Sequence, residues 1–134
     1  MRAQTGTMTQ TNVYQPGVCN IGPAEIRQRR RVGFIGLAVA VVFLVVAYSL
    51  AWPAPWRLIV FLPAAMSASG FLQAQLHFCA RFGASGLFNF GDLGSGTSVM
   101  EAEFRRKDRN KAVQILLLSA LAGAVVALLA LFIP

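Results

Sequence analysis

Residues 32–52, VGFIGLAVAVVFLVVAYSLAW, contain no charged side chain over 21 positions. A helix rises about 1.5 Å per residue, so this stretch is long enough to cross a hydrocarbon layer of about 30 Å. Two more stretches behave alike, residues 58–78 and 112–133, and neither carries a charge. Three such segments in 134 residues leave little chain for a separate soluble domain. The composition agrees: 56% of the residues are hydrophobic and 13% charged, against about 25% charged in a soluble domain. The expected fold is all-α, an integral membrane protein of three transmembrane helices, N-in and C-out.

The orientation follows from the basic residues. Arg2, Arg27, Arg29, Arg30 and Arg31 precede the first span, and Arg81, Arg105, Arg106, Lys107, Arg109 and Lys111 lie between the second and third. Only Arg57 falls on the other side. The positive-inside rule then makes the N-terminus and the second loop cytoplasmic. A formal charge of +7 would suit nucleic acid in a soluble protein. Here its placement points to anionic lipid headgroups, with Arg27, Arg29, Arg30, Arg31, Arg105, Arg106, Lys107 and Lys111 as topogenic charges, and to no nucleic acid. Residues 1–31 are mostly polar, unlike the short basic head and apolar core of a secretory signal. Both cysteines, Cys19 and Cys79, fall on the cytoplasmic side, where a structural disulfide is not expected.

Outward from the spans, residues 1–15 are rich in Thr and Gln without periodicity and read as a disordered tail. Residues 16–31 form a basic juxtamembrane segment. Within it CNIGPAEI mixes apolar residues with turn formers, and Pro23 suits the first turn of a helix that enters the span at residues 32–52. That mixture suggests a docking surface, because a mere tether needs no such order. The external turn WPAPW joins the first span to the second, residues 57–80, as antiparallel neighbours. Gly36 with Ala40, and Ser119 with Gly123 and Ala127, are small-residue ridges that let helices approach closely.

The second span ends in GFLQAQLHFCAR, residues 70–81, which gathers the only His, one Cys and an Arg. Read as continuous helix, it places Gly70, Gln73, His77 and Arg81 on one face and Gln75 and Cys79 on nearly the opposite one. Residues 81–98, rich in Gly, Ser and Phe, read as a flexible cytoplasmic connector. Ser98 and Glu101 have capping-box spacing, so a charged helix over residues 99–133 is expected to run into the third span.

Candidate interaction residues are therefore Cys19, Asn20, Glu25, Gly70, Gln73, Gln75, His77, Cys79, Arg81, Asn89 and Phe90. The second span's end is expected to pack against CNIGPAEI and the loop at residues 88–90. One His and two Cys do not assemble a metal site, and His77 and Cys79 would diverge on a helix. The carboxylates Glu25, Glu101, Glu103 and Asp108 sit beside basic residues or at helix starts, as solvated charges do; Asp92 in NFGDLGSG is less easily placed. GxxGxG there follows no strand and lacks the Lys of a phosphate loop. No catalytic residue, metal or cofactor is assigned. No span carries a charge at mid-depth that would mark an ion path.

The stretches PGVCNIGPAEI and GFLQAQLHFCARFG resemble segments of small bacterial three-helix membrane proteins of no assigned activity. That resemblance implies a bacterial cytoplasmic (inner) membrane and carries no chemistry with it. The function expected is a non-enzymatic accessory or assembly subunit of a larger membrane complex, with other membrane proteins as partners. The alternatives are a small oligomeric channel or transporter, and a thiol- or haem-dependent redox protein.

Overall fold

The computed structural model describes residues 14–94 and 96–133. Helix α1 spans Pro23–Ser49, a single turn α2 covers Ala54–Arg57, and a 3₁₀ turn at Leu58–Val60 leads into α3, Phe61–Leu76. A short helix α4, Ala80–Ser85, precedes a two-stranded hairpin of β1, Leu87–Phe88, and β2, Thr97–Ser98, before α5, Ala102–Phe132. Leu87 faces Ser98 and Phe88 faces Thr97 in antiparallel register. Three helical segments, Pro23–Ser49, Ala54–Leu76 and Ala102–Phe132, are long and apolar enough to cross a membrane. Of the tail expected at residues 1–15, residues 1–13 lie outside the described residues; Tyr14 and Gln15 are packed into the fold.

Helix α3 is the middle of the bundle, with α1 and α5 packed along it. The contacts run in opposite chain order, Gly36 with Ser67 and Gly33 with Gly70, so α1 and α3 are antiparallel. Small residues make this seam. The Ser67 hydroxyl donates to the Gly33 carbonyl at 2.8 Å, which satisfies a polar group buried between two apolar helices. Against α5, Gly123 sits on Ala65 and the Phe61 carbonyl. Ser119 turns its hydroxyl onto its own helix, donating to the Ile115 carbonyl at 2.7 Å. Pro63 falls in the first turn of α3, where its missing N–H costs no helix bond.

At the WPAPW end, Ala40, Val60, Ala127 and Ala130 form an apolar cluster with Phe43 and Phe61 around it. Tyr48 ties α1 to α5 by donating to the Ala130 carbonyl at 2.6 Å. Arg57 stacks over the Tyr48 ring at 4.5 Å and donates to the Ile133 carbonyl at 3.1 Å. Arg57, the lone basic residue at this end among the described residues, is thus held by a ring and a helix terminus. The outer faces, including Phe34, Val42 and Val45 on α1 and Leu117, Leu121 and Leu128 on α5, are exposed and apolar. They are the faces a bilayer would cover.

Three local expectations are corrected. The second span does not continue to residue 80: α3 stops at Leu76, and His77 caps it in the left-handed conformation, φ 55°, ψ 40°. Residues 81–98 are not a bare connector, because α4 takes in residues 81–85 and the hairpin strands residues 87–88 and 97–98. The capping box does not form, since Ser98 is paired in β2 and Glu101 stands at the N-cap of α5 without a side-chain capping bond. On α5, Glu103 and Lys107 meet at 3.8 Å, both well exposed, and contribute little.

Candidate functional site

The opposite end of the bundle, where the basic residues gather, carries a folded cap. Residues Gln15–Cys19 close a turn through Gln15 N–H to the Cys19 carbonyl at 2.8 Å and Cys19 N–H back to the Gln15 carbonyl at 2.9 Å. Gly17 holds it with φ 71°, a conformation that suits glycine. Beyond the turn the chain runs extended between the end of α3 and the loop after β1. Asn20 N–H donates to the His77 carbonyl at 3.1 Å, Asn89 N–H to the Asn20 carbonyl at 2.9 Å, and Gly22 N–H to the Asn89 carbonyl at 2.8 Å. A Cβ on Gly22 would lie 2.8 Å from the Phe90 backbone, so the chains meet this closely only because residue 22 has none.

Side chains then lock the three segments together. The Asn20 amide donates to the Cys79 carbonyl at 3.2 Å and accepts from the Cys79 N–H at 2.7 Å, standing in for a missing strand partner. Asn89 donates to Glu25 Oε2 at 3.0 Å and to the Asp92 carbonyl at 2.8 Å, and accepts from Gly91 N–H at 2.9 Å. Glu25 pairs with Arg29 at 3.2 Å, and Arg29 Nη2 also donates to Cys79 Sγ at 3.0 Å. The result is a closed polar ring, Asn20, Asn89, Glu25, Arg29, Cys79, in which Asn20 and Cys79 are fully buried. Ile21, Ile26, Ala74 and Cys79 pack beneath it, with Phe82 at their edge. The second span's end, CNIGPAEI and the loop at residues 88–90 therefore do meet.

The break at His77 builds this arrangement. Leaving the helix frees backbone groups of Cys79 and Ala80 for other partners. Gln73 reaches forward to accept from Ala80 N–H at 2.9 Å while its amide donates to Ser69 Oγ at 2.7 Å. Phe78, fully buried, fills the hinge between Leu72, Leu76, Ala112 and Ile115.

These facts reorder the candidates. His77 and Arg81 do not share the Gln73 face, because the helix ends between them; His77 contributes its carbonyl, and Arg81 stands exposed on α4. Cys79 lies on no helix face and is bonded through its backbone and its sulfur. Gly70 faces Gly33 in the helix seam and takes no part in the cap. Gln75 is exposed, and Phe90 supplies backbone against Gly22 and a ring 6.0 Å from Phe88. Cys19 is buried, with its thiol toward the Ile21 carbonyl at 3.8 Å. Of the topogenic charges, Arg29 turns inward, whereas Arg27, Arg30, Arg31, Arg105, Arg106 and Lys107 are exposed and Lys111 half-buried.

Asp108 is the residue sequence reasoning misplaced. It is fully buried and accepts from the Tyr14 hydroxyl at 2.6 Å and from Gly17 N–H at 2.7 Å. The Tyr14 ring stacks on Phe88 at 4.7 Å, so one carboxylate on α5 fastens both the N-terminal turn and the hairpin. A signal for this exists in the sequence. Following the ridge Ala127, Gly123, Ser119 backwards at helical spacing gives Ile115, Ala112 and Asp108, the buried stripe of α5.

Burial raises the Tyr14 hydroxyl well above the usual tyrosine value, and the hydrogen bond to Asp108 and that carboxylate's charge push the same way. Burial pushes the Cys19 thiol up, opposed in part by hydrogen bonding with the Ile21 backbone, so it is held as the poorly nucleophilic thiol. A raised tyrosine contributes stability in full below its unfolded value, about 10, and loses it as pH climbs toward the folded value. In a Tyr48→Phe background, difference absorbance of phenolate is expected to rise only at higher pH than free tyrosine, together with release of the N-terminal turn. Titration at the ordinary tyrosine value would contradict the Tyr14–Asp108 contact.

Chemically, the ring and its surroundings are spent on mutual hydrogen bonds that hold three chain segments in one place. No group of three or more His, Cys, Asp or Glu that could hold a metal ion occurs among the described residues. Comparisons with protein-family models, with curated proteins and with solved structures returned no match.

Proposed function

We propose that this chain is a non-enzymatic accessory or assembly subunit of a larger complex in a bacterial cytoplasmic membrane, with its cap on the cytoplasmic side. The observation that carries the reading is the cap itself. It is tied to α1 through Glu25, to the chain leaving α3 through His77 and Cys79, and to α5 through Asp108, yet it leaves Val18 55%, Leu93 53% and Met100 81% exposed. A cap fixed this firmly costs little further ordering when a partner docks, and these exposed apolar side chains are ones a docked partner would cover. Seams between helices support the reading less, because Gly33, Gly36, Gly70 and Gly123 are occupied inside the bundle.

Purification in mild detergent with mass analysis tests it. Stoichiometric partner proteins are expected, and a Leu93→Glu, Met100→Glu double variant should lose them while its melting temperature stays unchanged, since both side chains are exposed. A lone monomer from the native membrane would sink the proposal. A ring of identical copies would favour the channel instead.

A further inference from the structure

A groove of about 340 Å³ runs between α1 and α5 over the end of α3, lined by Arg29, Val32, Gln73, Arg81, Ala84 and Leu116 among others. We propose that it binds one anionic phospholipid, its phosphate held by Arg81 with Arg29 beside it and an acyl chain laid along Val32 and Leu116. The inference is separate from the partner reading, because it concerns a different surface and is read on the isolated chain.

The two ends of the groove differ in chemistry. On α1 the apolar part follows the basic run directly, and Val32 lies three residues beyond Arg29, so the two line the same wall. On α5 the charged turns end at Lys111, and Leu116, 56% exposed, lies one turn further into the apolar part. A ligand filling the groove must therefore be anionic at one end and apolar at the other. At the boundary between headgroups and hydrocarbon, such a molecule is a phospholipid.

Charge complementarity favours anionic over zwitterionic lipid. Arg29 already has Glu25 as counter-charge, but its Nε–H is buried with no hydrogen-bond partner among the described residues. That donor presents almost no surface, so a ligand in the groove meets Arg29 through the rest of its guanidinium and leaves the main charge contact to Arg81. Arg81 is exposed and forms no salt bridge among the described residues. Its guanidinium suits two phosphate oxygens at once, which a lysine would meet only as a point charge. Free phosphate would use the arginines but leave the apolar walls uncovered.

Native mass spectrometry of the full chain, loaded with phosphatidylglycerol or phosphatidylcholine of matched chain length, tests this. One phosphatidylglycerol per chain is expected to survive, with phosphatidylcholine retained far less. Arg81→Gln should lower phosphatidylglycerol retention about tenfold, the loss of one charge-assisted contact. Leu116→Trp should lower it with both arginines intact, whereas Arg109→Gln, equal in charge change but outside the groove, should not. Both groove side chains are exposed, and unchanged circular dichroism and melting will show that the variants fold. Undiminished retention in Arg81→Gln, equal retention of the two lipids, displacement by millimolar inorganic phosphate, or an acidic polypeptide bound in place of lipid would each overturn the proposal.

Discussion

Replacing Asn20 with alanine is expected to free the N-terminal segment from the end of α3 and expose the Cys79 thiol to reagent. The amide of Asn20 satisfies the N–H and the carbonyl of Cys79 at once, at a position with no solvent exposure. A buried backbone group left without a partner costs about 1–3 kcal/mol, so removing the amide puts about 2–6 kcal/mol against the closed cap. Local opening that lets water in is the cheaper response, and it limits the loss to the contacts holding the cap. In a Cys19→Ser background, maleimide should then label Cys79 slowly in the parent and many times faster in the Asn20→Ala variant. The three spans should keep their helix content, because the seams between α1, α3 and α5 do not involve Asn20. Labelling unchanged by the substitution would mean that the apolar cluster around Ile21 and Ile26 holds the cap without the amide.

The three long helices were legible because apolar runs of that length have few other readings, and the charge pattern placed all but one of the described basic residues at the same end of the bundle. The helix break was not. GFLQAQLHFCAR contains no proline and no glycine after Gly70, and any non-glycine residue is uncommon at positive φ, even histidine, which is among the types more tolerant of it. What stops α3 lies far away in sequence: Asn20 offers Cys79 a better partner than the next helical turn, and Phe78 finds a cavity against α5. A periodicity argument sees only neighbours, so it carried the helix on and assigned His77, Cys79 and Arg81 to faces that do not exist. Proximity of the three segments was readable from composition, since CNIGPAEI is too apolar to float. Asp108 shows the opposite failure. Its neighbours in KDRNK advertise a solvated charge, while its helical register with Ala112 and Ile115 places it on the buried stripe. Register was the better guide, because a helix residue's surroundings are set by its face more than by its adjacent residues.

Gly70→Ala is expected to be the most disruptive glycine-to-alanine change among the described residues. A Cβ there would stand 2.5 Å from Gly33 N, 2.7 Å from the Arg29 carbonyl oxygen and 2.9 Å from Gly33 Cα. All three are backbone atoms of α1, which cannot rotate away as a side chain would. The helices must separate, and separation loosens the Ser67 to Gly33 bond and moves Arg29 relative to Cys79, coupling the seam to the polar ring. Overpacking of this kind costs about 1–3 kcal/mol and more where the neighbours are rigid. Other glycines supply an internal scale. At Gly33 the added methyl meets the Phe71 ring, 2.8 Å away but free to swing, and at Gly96 it meets nothing within 4 Å. Thermal unfolding in detergent should therefore rank the alanine variants, with Gly70 lowest by several degrees, Gly33 intermediate and Gly96 level with the parent. Equal melting of the Gly70 and Gly96 variants would mean that α1 and α3 do not meet backbone to backbone, and the seam would have to be redrawn.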